Sequence, residues 1–339
     1  MMSDGADLPI FPETVEWEEA QPTLEALELG DGLPLVPPTL SRYNAMIADR
    51  GPSGQVFGHV LPLMGELTLD AVAYNCILAG CRPEELPVVM TAVLATLEDR
   101  FNLLGVSSTT GTATVAVCVH GPVVRALGLN AGGNILGPGN RANACIGRAV
   151  SLIMRNVGGA RAGVGDMATM GQPGKYTFCF AEGSHPGFPP LPVRLGFDDE
   201  SHVTVLGVSG TAEVLPASPG GTPERVLQPI AAAMNAAIDS TGAMRKRERG
   251  EQVFLLPPEM ADVLQGADWD LGRIQRYLFD ARHCYPIDGS ELPDDRPFAR
   301  SPDAIHPIVT GGAGVKMTYL PLWSGGSDTV TKPLWDPSA

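Results

Sequence analysis

Polar residues that could bind a substrate are concentrated in the segment LNAGGNILGPGNRANA (129–144), which runs directly into the helix-like stretch CIGRAVSLIMRNV. Glycines allow a ligand to approach the backbone closely, and the free N–H groups at a helix start attract anions. A guanidinium can hold a carboxylate or phosphate through two hydrogen bonds, and amides can bind polar groups. The candidate substrate-binding residues are Asn134, Asn140, Arg141 and Asn143. The alternative interpretation is an elaborate capped turn with a structural role.

A second segment, GQPGKYTFCFAEG (171–183), combines a tight turn with an apolar strand. Lys175 stands where the strand begins and Glu182 where it ends. Ligands of open α/β sheets bind beyond the carboxyl ends of strands, so Glu182 is a candidate general base or metal ligand and Lys175 its electrostatic partner. Cys179 is a candidate catalytic thiol, although a buried, inert thiol is the commoner role for such a residue.

A third segment, TGGAGVK (310–316), follows the last apolar strand and resembles an anion-binding turn that uses Gly311, Gly312 and Lys316. An ordinary glycine turn is the alternative. Asp166 and Glu182 leave an oxygen-rich Mg²⁺ or Ca²⁺ site open, while helix capping is the simpler role for Asp166. The scattered histidines do not have zinc-site spacing, and neither a nucleotide-binding nor a hydrolase motif is present, so the sequence assigns no metal and identifies no cofactor.

The elements that position these segments occur in an order that repeats. The interval from the opening proline of a helix to the next apolar strand is 29 residues in both halves, from Pro83 to Thr112 and from Pro223 to Gln252. The pattern predicts helices over 40–49, 69–80, 83–98, 223–238, 260–266 and 270–282, a helix from Cys145 and another from Pro122, and strands over 112–120, 176–183, 252–257 and 305–312.

The repeated order predicts an α/β fold in which two pseudo-repeated halves form one compact body with an extended, loosely docked N-terminal arm. The expected divisions are an arm with a short helix (1–59), a first repeat (60–190), a second repeat (200–325) and a tail (326–339). Residues 134–144 have no counterpart in the second repeat, and unusual loops often carry function. We therefore expect the site at the junction of the halves, where the ends of strands 176–181 and 305–310 face each other.

The composition excludes several classes of partner. A net charge of -15 argues against binding to nucleic acid or to an anionic membrane. No apolar run approaches about 18 residues, and the acidic start lacks the apolar core of a signal peptide. The six cysteines form no C-x-x-C pair, which indicates reduced thiols. We expect a cytoplasmic homo-oligomer that acts on a small molecule.

Several stretches resemble an uncharacterised bacterial family: DGLPLVPPT, AGCRPEELPVVMTAV, NAGGNILGPGNRANACIGRAV, NVGGARAG, GQPGKYTFCFAE and GGAGVKMTYLP. Its members accompany a small Cys/Sec-Gly-Ser-Cys protein that is similar to the selenocysteine subunit of glycine and proline reductases. The resemblance implies thiol- or selenol-assisted cleavage or transfer on a small polar substrate. Because this chain lacks Cys-Gly-Ser-Cys, the thiol would come from such a partner protein or from Cys81 or Cys179.

Together these features predict an enzyme that acts on a small, polar, anionic substrate, either a lyase or a thiol-assisted transferase. The alternative is a non-catalytic subunit that binds substrate for a thiol- or selenol-dependent complex. A purely structural scaffold would leave the glycine- and asparagine-rich insert unexplained.

Overall fold

The computed structural model describes residues 8–52, 54–217, 221–241, 250–281, 297 and 299–338. The helices are α1 Trp17–Ala26, α2 Leu40–Ile47, α3 Leu69–Ala79, α4 Leu86–Thr96, α5 Leu103–Ser108, α6 Pro122–Ala126, α7 Arg141–Asn156, α8 Leu191–Arg194, α9 Pro223–Thr241, α10 Pro258–Gly266 and α11 Leu271–Asp280. The strands are β1 Val56–Val60, β2 Gly65–Thr68, β3 Thr114–His120, β4 Cys179–Ala181, β5 His202–Val208, β6 Ala212–Val214, β7 Gln252–Leu256, β8 Ile305–Val309, β9 Met317–Leu320 and β10 Val330–Pro333. The mixture of helices and strands confirms the α/β class.

Two four-stranded sheets have the same internal arrangement. Their orders are β10-β5-β3-β4 and β6-β9-β7-β8, and β1 pairs with β2 in a separate hairpin. In each large sheet a central strand has a parallel neighbour on one side and an antiparallel neighbour on the other. The edge strand of each large sheet is distant in sequence from its neighbour: β10, near the end of the chain, pairs with β5, and β6, which directly follows β5, pairs with β9 in the other sheet.

The structure has four layers: two sheets stacked face to face, with a layer of helices on the outer face of each sheet. One face of each sheet meets the other sheet in a shared apolar cluster that includes Cys118, Phe180, Val253 and Ile308. The opposite face of the first sheet packs in a cluster with α3, α4 and α7, and that of the second sheet packs with α9, α10 and α11. Because side chains of a strand point alternately to its two faces, these short strands are buried on both sides.

Local signals placed several helix ends correctly. The side chains of Thr39 and Thr68 cap α2 and α3, and Gly80 ends α3 in the left-handed conformation with φ of 85°. One expected boundary was wrong, because α7 begins at Arg141 rather than at Cys145. The Asn140 side chain accepts a hydrogen bond from the Asn143 N–H at 3.0 Å, and this cap starts the helix earlier.

The N-terminal segment is held more firmly than a loosely docked arm would be. Ala20 and Leu24 on α1 are fully buried in the main core. Gln21 exchanges two 3.0 Å hydrogen bonds with the backbone of Leu35, and Asp31 forms an ion pair with Arg148 at 2.8 Å.

Six strands of the structure were not predicted from the sequence: β1, β2, β5, β6, β9 and β10. Among the described residues no helix is both long and apolar enough to cross a bilayer.

Candidate functional site

A cleft of about 520 Å³ lies where the loop that precedes β4 passes over α7; we call it the arginine cleft. Its walls contain charged, hydroxyl and small side chains: Asp31, Ser151, Arg155, Ala160, Ala162, Asp166, Met170, Gly171, Gln172, Pro173, Lys175 and Tyr176. A recess of about 70 Å³ shares Ser151, Asp166 and Lys175 with it and reaches the start of β3. The cleft therefore lies at the amino ends of β3 and β4.

Arg155 is the unusual group in this cleft. Its Nε atom is buried without a hydrogen-bond partner, and no carboxylate of the described residues forms an ion pair with its guanidinium. Burial lowers the pKa of Arg155, the neighbouring charge of Arg161 lowers it further, and the attraction of Asp31 and Glu28 offsets this only in part. The group still remains a cation, because an arginine side chain does not lose its proton in proteins. A partly buried cation without a partner is costly unless a ligand supplies the opposite charge.

The other basic groups around the cleft already have partners. Three ion pairs surround Arg155: Arg148–Asp31 at 2.8 Å, Lys175–Asp166 at 2.6 Å and Arg161–Glu28. Four basic groups thus face three acidic ones, which leaves one uncompensated positive charge in a chain whose net charge is -15. The local field of the cleft favours an anion although the whole molecule repels anions.

A second cavity, of about 450 Å³, lies on the other side of the 171–174 turn; we call it the insert pocket. Its walls come from both glycine-rich segments: Ile135, Leu136, Gly137, Pro138, Asn143, Ala144, Gln172, Pro173, Gly174, Thr177, Phe178, Cys179 and Thr211. The structure therefore brings the two candidate motifs together. Gln172 and Pro173 border both cavities, so the turn is the wall between them.

The asparagines of the insert are committed to local structure. Asn140 caps α7 and donates to the Gly128 carbonyl at 2.8 Å, while Asn134 donates to the Pro138 carbonyl at 2.7 Å. Asn143 accepts from the Asn130 N–H at 2.9 Å and donates to the carbonyls of Asn130 and Cys179. These bonds favour the structural interpretation of the insert, with only Asn143 lining a cavity.

Arg141 does not face the other predicted site residues. Its guanidinium forms an ion pair with the buried carboxylate of Glu85 and donates to the Gly80 carbonyl at 3.2 Å. It is therefore bound to the end of α3 and the turn after it, whereas Glu182 lies in a different network. Neither residue lines any of the cavities described here, so the shared pocket stays a prediction without support from them.

Glu182 is buried within a polar network between the sheets. Its carboxylate pairs with His120 Nδ1 at 2.6 Å and accepts from the Leu191 N–H at 2.9 Å, and the Arg194 guanidinium lies 3.6 Å away. The other ring nitrogen of His120 lies 2.8 Å from the Thr204 hydroxyl, which contacts the Thr331 hydroxyl. This set joins neighbouring strands, and none of the cavities described above is lined by Glu182.

The 310–316 turn closes the junction of the halves. The carboxyl ends of β4 and β8 do meet, since the Gly183 N–H donates to the Val309 carbonyl at 2.8 Å and the Thr310 hydroxyl to the Ala181 carbonyl at 2.7 Å. The Gly311 N–H donates to the Ala131 carbonyl at 3.1 Å. A Cβ at Gly312 would approach the Gly133 Cα to 2.7 Å, and Lys316 pairs with Glu213 at 3.0 Å. These groups bind each other instead of opening a crevice.

Of the predicted catalytic residues, Lys175 lines the arginine cleft and Cys179 the insert pocket. Burial raises the pKa of the Cys179 thiol, so it is protonated at neutral pH and is a poor nucleophile. Asp166 and Glu182 have separate partners, and no group of three metal-binding side chains occurs among the described residues.

Four residues that line the cleft were not predicted from the sequence: Arg155, Asp31, Ser151 and Tyr176. The sequence signal for Arg155 was its position seven residues after Arg148, on the same helix face.

Searches of family models, curated proteins and solved structures found no match to this chain. The argument for a function therefore rests on the geometry and charges of the cleft.

Proposed function

We propose that this protein is an enzyme that binds a small anionic substrate in the arginine cleft, rather than at the junction of β4 and β8. The observation that carries the proposal is the Arg155 guanidinium, whose Nε is buried without a hydrogen-bond partner and which forms no ion pair with any of the described residues. Each neighbouring cation has its own carboxylate, so Arg155 is the group whose charge a ligand would balance. A carboxylate or phosphate fits a guanidinium through two parallel hydrogen bonds.

The cleft also supplies groups for proton transfer. Lys175 and Asp166 lie 2.6 Å apart, and both side chains line the cleft and its inner recess. In this pair the Asp166 carboxylate can accept a proton from a bound substrate and the Lys175 ammonium can donate one to a leaving group, in the manner of general acid–base catalysis. A lyase that removes a proton next to the substrate's carboxylate is the reaction class that this arrangement favours.

The second candidate is a non-catalytic subunit that presents the anion to a thiol- or selenol-bearing partner. The observation in its favour is that the arginine cleft is lined by none of the cysteines among the described residues. Thiol-assisted chemistry at this cleft would therefore need a thiol from another protein. Like the enzyme, a subunit of this kind binds the substrate in the arginine cleft. Unlike the enzyme, it does not convert the substrate when the chain is isolated from its partner.

We also infer that the two halves arose by duplication of one α/β unit. The matching strand orders, with one antiparallel edge strand added to each sheet by β10 and β6, support this inference. The cytoplasmic location and the homo-oligomeric state expected from the sequence stay predictions.

Two measurements test the proposed function. The first is titration with inorganic phosphate and with malonate by calorimetry, for the native protein, Arg155→Met and the control Arg141→Met. A hydrogen bond to a charged group contributes about 1.5–3 kcal/mol, so we expect Arg155→Met to weaken binding by about 10- to 100-fold and Arg141→Met to leave it unchanged. Equal binding by all three proteins would refute the anion site.

The second measurement is solvent deuterium exchange into a panel of small hydroxy, amino and oxo acids, followed by NMR in D₂O. An enzyme of the proposed class exchanges the proton next to the carboxylate of at least one acid, and Asp166→Asn, which removes the proton acceptor, abolishes this exchange without abolishing binding. Anion binding without exchange in the native protein would favour the non-catalytic subunit.

A further inference from the structure

The insert pocket differs from the arginine cleft in its chemistry. Its volume, about 450 Å³, is in the range of small-molecule sites, which is ~300–1,000 Å³. All the side chains that line it are uncharged. Ile135, Leu136 and Phe178 contribute apolar surface, and the Cys179 thiol stays protonated because burial raises its pKa. A charged ligand would lose its hydration here without gaining a counter-charge.

Gln172 and Thr177 offer free hydrogen-bond acceptors in this pocket, and the Thr211 hydroxyl, which has no hydrogen-bond partner among the described residues, can donate or accept. The Gln172 side chain donates through Nε2 to the carbonyls of Thr112 at 2.6 Å and Val208 at 2.9 Å. Because both partners are acceptors, that end must be the amide nitrogen, and the orientation of the amide is fixed. Its Oε1 has no hydrogen-bond partner among the described residues and lies 3.2 Å from where a Cβ of Gly174 would stand.

Thr177 is a second acceptor. Its hydroxyl donates to the Ala144 carbonyl at 2.8 Å, which uses its one proton and leaves its oxygen lone pairs able to accept.

Glycines shape the walls of this pocket. A Cβ at Gly137 would meet the Asn134 side chain at 2.2 Å. At Gly174 a Cβ would lie 2.8 Å from the Phe178 ring. Substitution at either glycine would move a wall of the pocket.

We propose that the insert pocket binds an uncharged small molecule that donates hydrogen bonds, such as a primary amide, to Gln172 Oε1 and Thr177 Oγ1. The apolar part of the ligand lies against Ile135, Leu136 and Phe178. The site is separate from the arginine cleft, and the inference does not depend on the function proposed above.

The test uses benzamide and benzoate, which have nearly the same shape but differ in charge and in donor groups. Methyl NMR signals of Ile135 and Leu136 report on the insert pocket, and the methyl of Met170 reports on the arginine cleft in the same sample. We expect benzamide to shift the Ile135 and Leu136 signals saturably, with a dissociation constant on the order of millimolar for so small a ligand. Benzoate should not shift them.

Matched variants locate the binding. Ala144→Leu narrows the insert pocket and should weaken benzamide binding at least tenfold, while Ala162→Leu narrows the arginine cleft and should leave it unchanged. If Ala144→Leu does not fold, Thr177→Val removes one acceptor and should weaken binding by about fivefold, which corresponds to one neutral hydrogen bond. Equal shifts with benzoate, no shift with benzamide up to its solubility limit, or undiminished binding in the folded pocket variant would each overturn the proposal.

Discussion

Replacement of Arg155 by methionine should have opposite consequences in the absence and in the presence of an anion. Methionine keeps an unbranched chain as far as the position of Nε and removes a partly buried charge that has no ion-pair partner among the described residues. Without ligand, we therefore expect the free energy of unfolding to rise or to change by less than about 1 kcal/mol.

The matched control is Arg148→Met, which lies about two turns earlier on the same face of α7. The Arg148 guanidinium donates to both oxygens of Asp31 at 2.8 Å and to the carbonyls of Pro34 and Leu33. Its removal leaves Asp31, which is 12% exposed, without its counter-charge. Breaking a buried pair in this way costs about 3–5 kcal/mol, and the exposed fraction of both side chains places the expected loss at about 3 kcal/mol.

The assay is urea unfolding at neutral pH in a buffer free of small anions, repeated with phosphate or malonate. At 100 times its dissociation constant a ligand stabilises the native state by about 2.7 kcal/mol. The native protein should gain this amount, and Arg155→Met should gain little. If Arg155→Met loses more than about 2 kcal/mol in anion-free buffer, its guanidinium has a structural partner and the argument for a ligand site fails.

Three further predictions concern stability and thiols. Glu182→Gln breaks the buried pair with His120 and should lower the free energy of unfolding by about 3 kcal/mol; a loss below 1 kcal/mol in urea unfolding would contradict the structural role. Burial alone would raise the pKa of Asp31, but hydrogen bonds from Arg148 and the Leu33 N–H hold it below its ordinary value. Its contribution is therefore present above a pH of about 4 and is lost as the pH falls further, so the stability difference between the native protein and Asp31→Asn should shrink between pH 5 and pH 3. All six cysteines should titrate as free thiols after denaturation, whereas Cys179 should react slowly in the native state because burial raises its pKa; two or more disulfides would contradict this.

Local signals in the sequence were sufficient for parts of the fold. The caps at Thr39 and Thr68 and the glycine that ends α3 depend on neighbouring residues alone, and the apolar runs of β3 and β7 show their burial directly. The short strands β6 and β10 were missed because their pairing partners, β9 and β5, are distant in sequence. Strands of three or four residues are too short for their hydrophobic periodicity or their composition to identify them.

The candidate site was harder to predict because it depends on contacts between distant segments. Arg155 differs from the other arginines around the cleft in forming no ion pair with the described residues, and this depends on which carboxylates reach Arg148 and Arg161. Those carboxylates stand 117 and 133 residues earlier in the chain. No spacing rule on α7 alone could separate the paired arginines from the unpaired one.

The rule that ligands bind beyond the carboxyl ends of strands fails here for a physical reason. In an open sheet the backbone groups at those ends face a crevice, but this chain stacks two sheets whose strand ends meet. Glu182 and Thr310 occupy matching positions, since their N–H groups donate to Val119 and Leu256 at the same distance of 3.0 Å. Thr310 then binds across to Ala181, whereas Glu182 turns to His120, so both ends are closed by protein. The open space lies at the amino ends of β3 and β4 instead, where the loop from α7 crosses the surface and leaves Arg155 uncompensated.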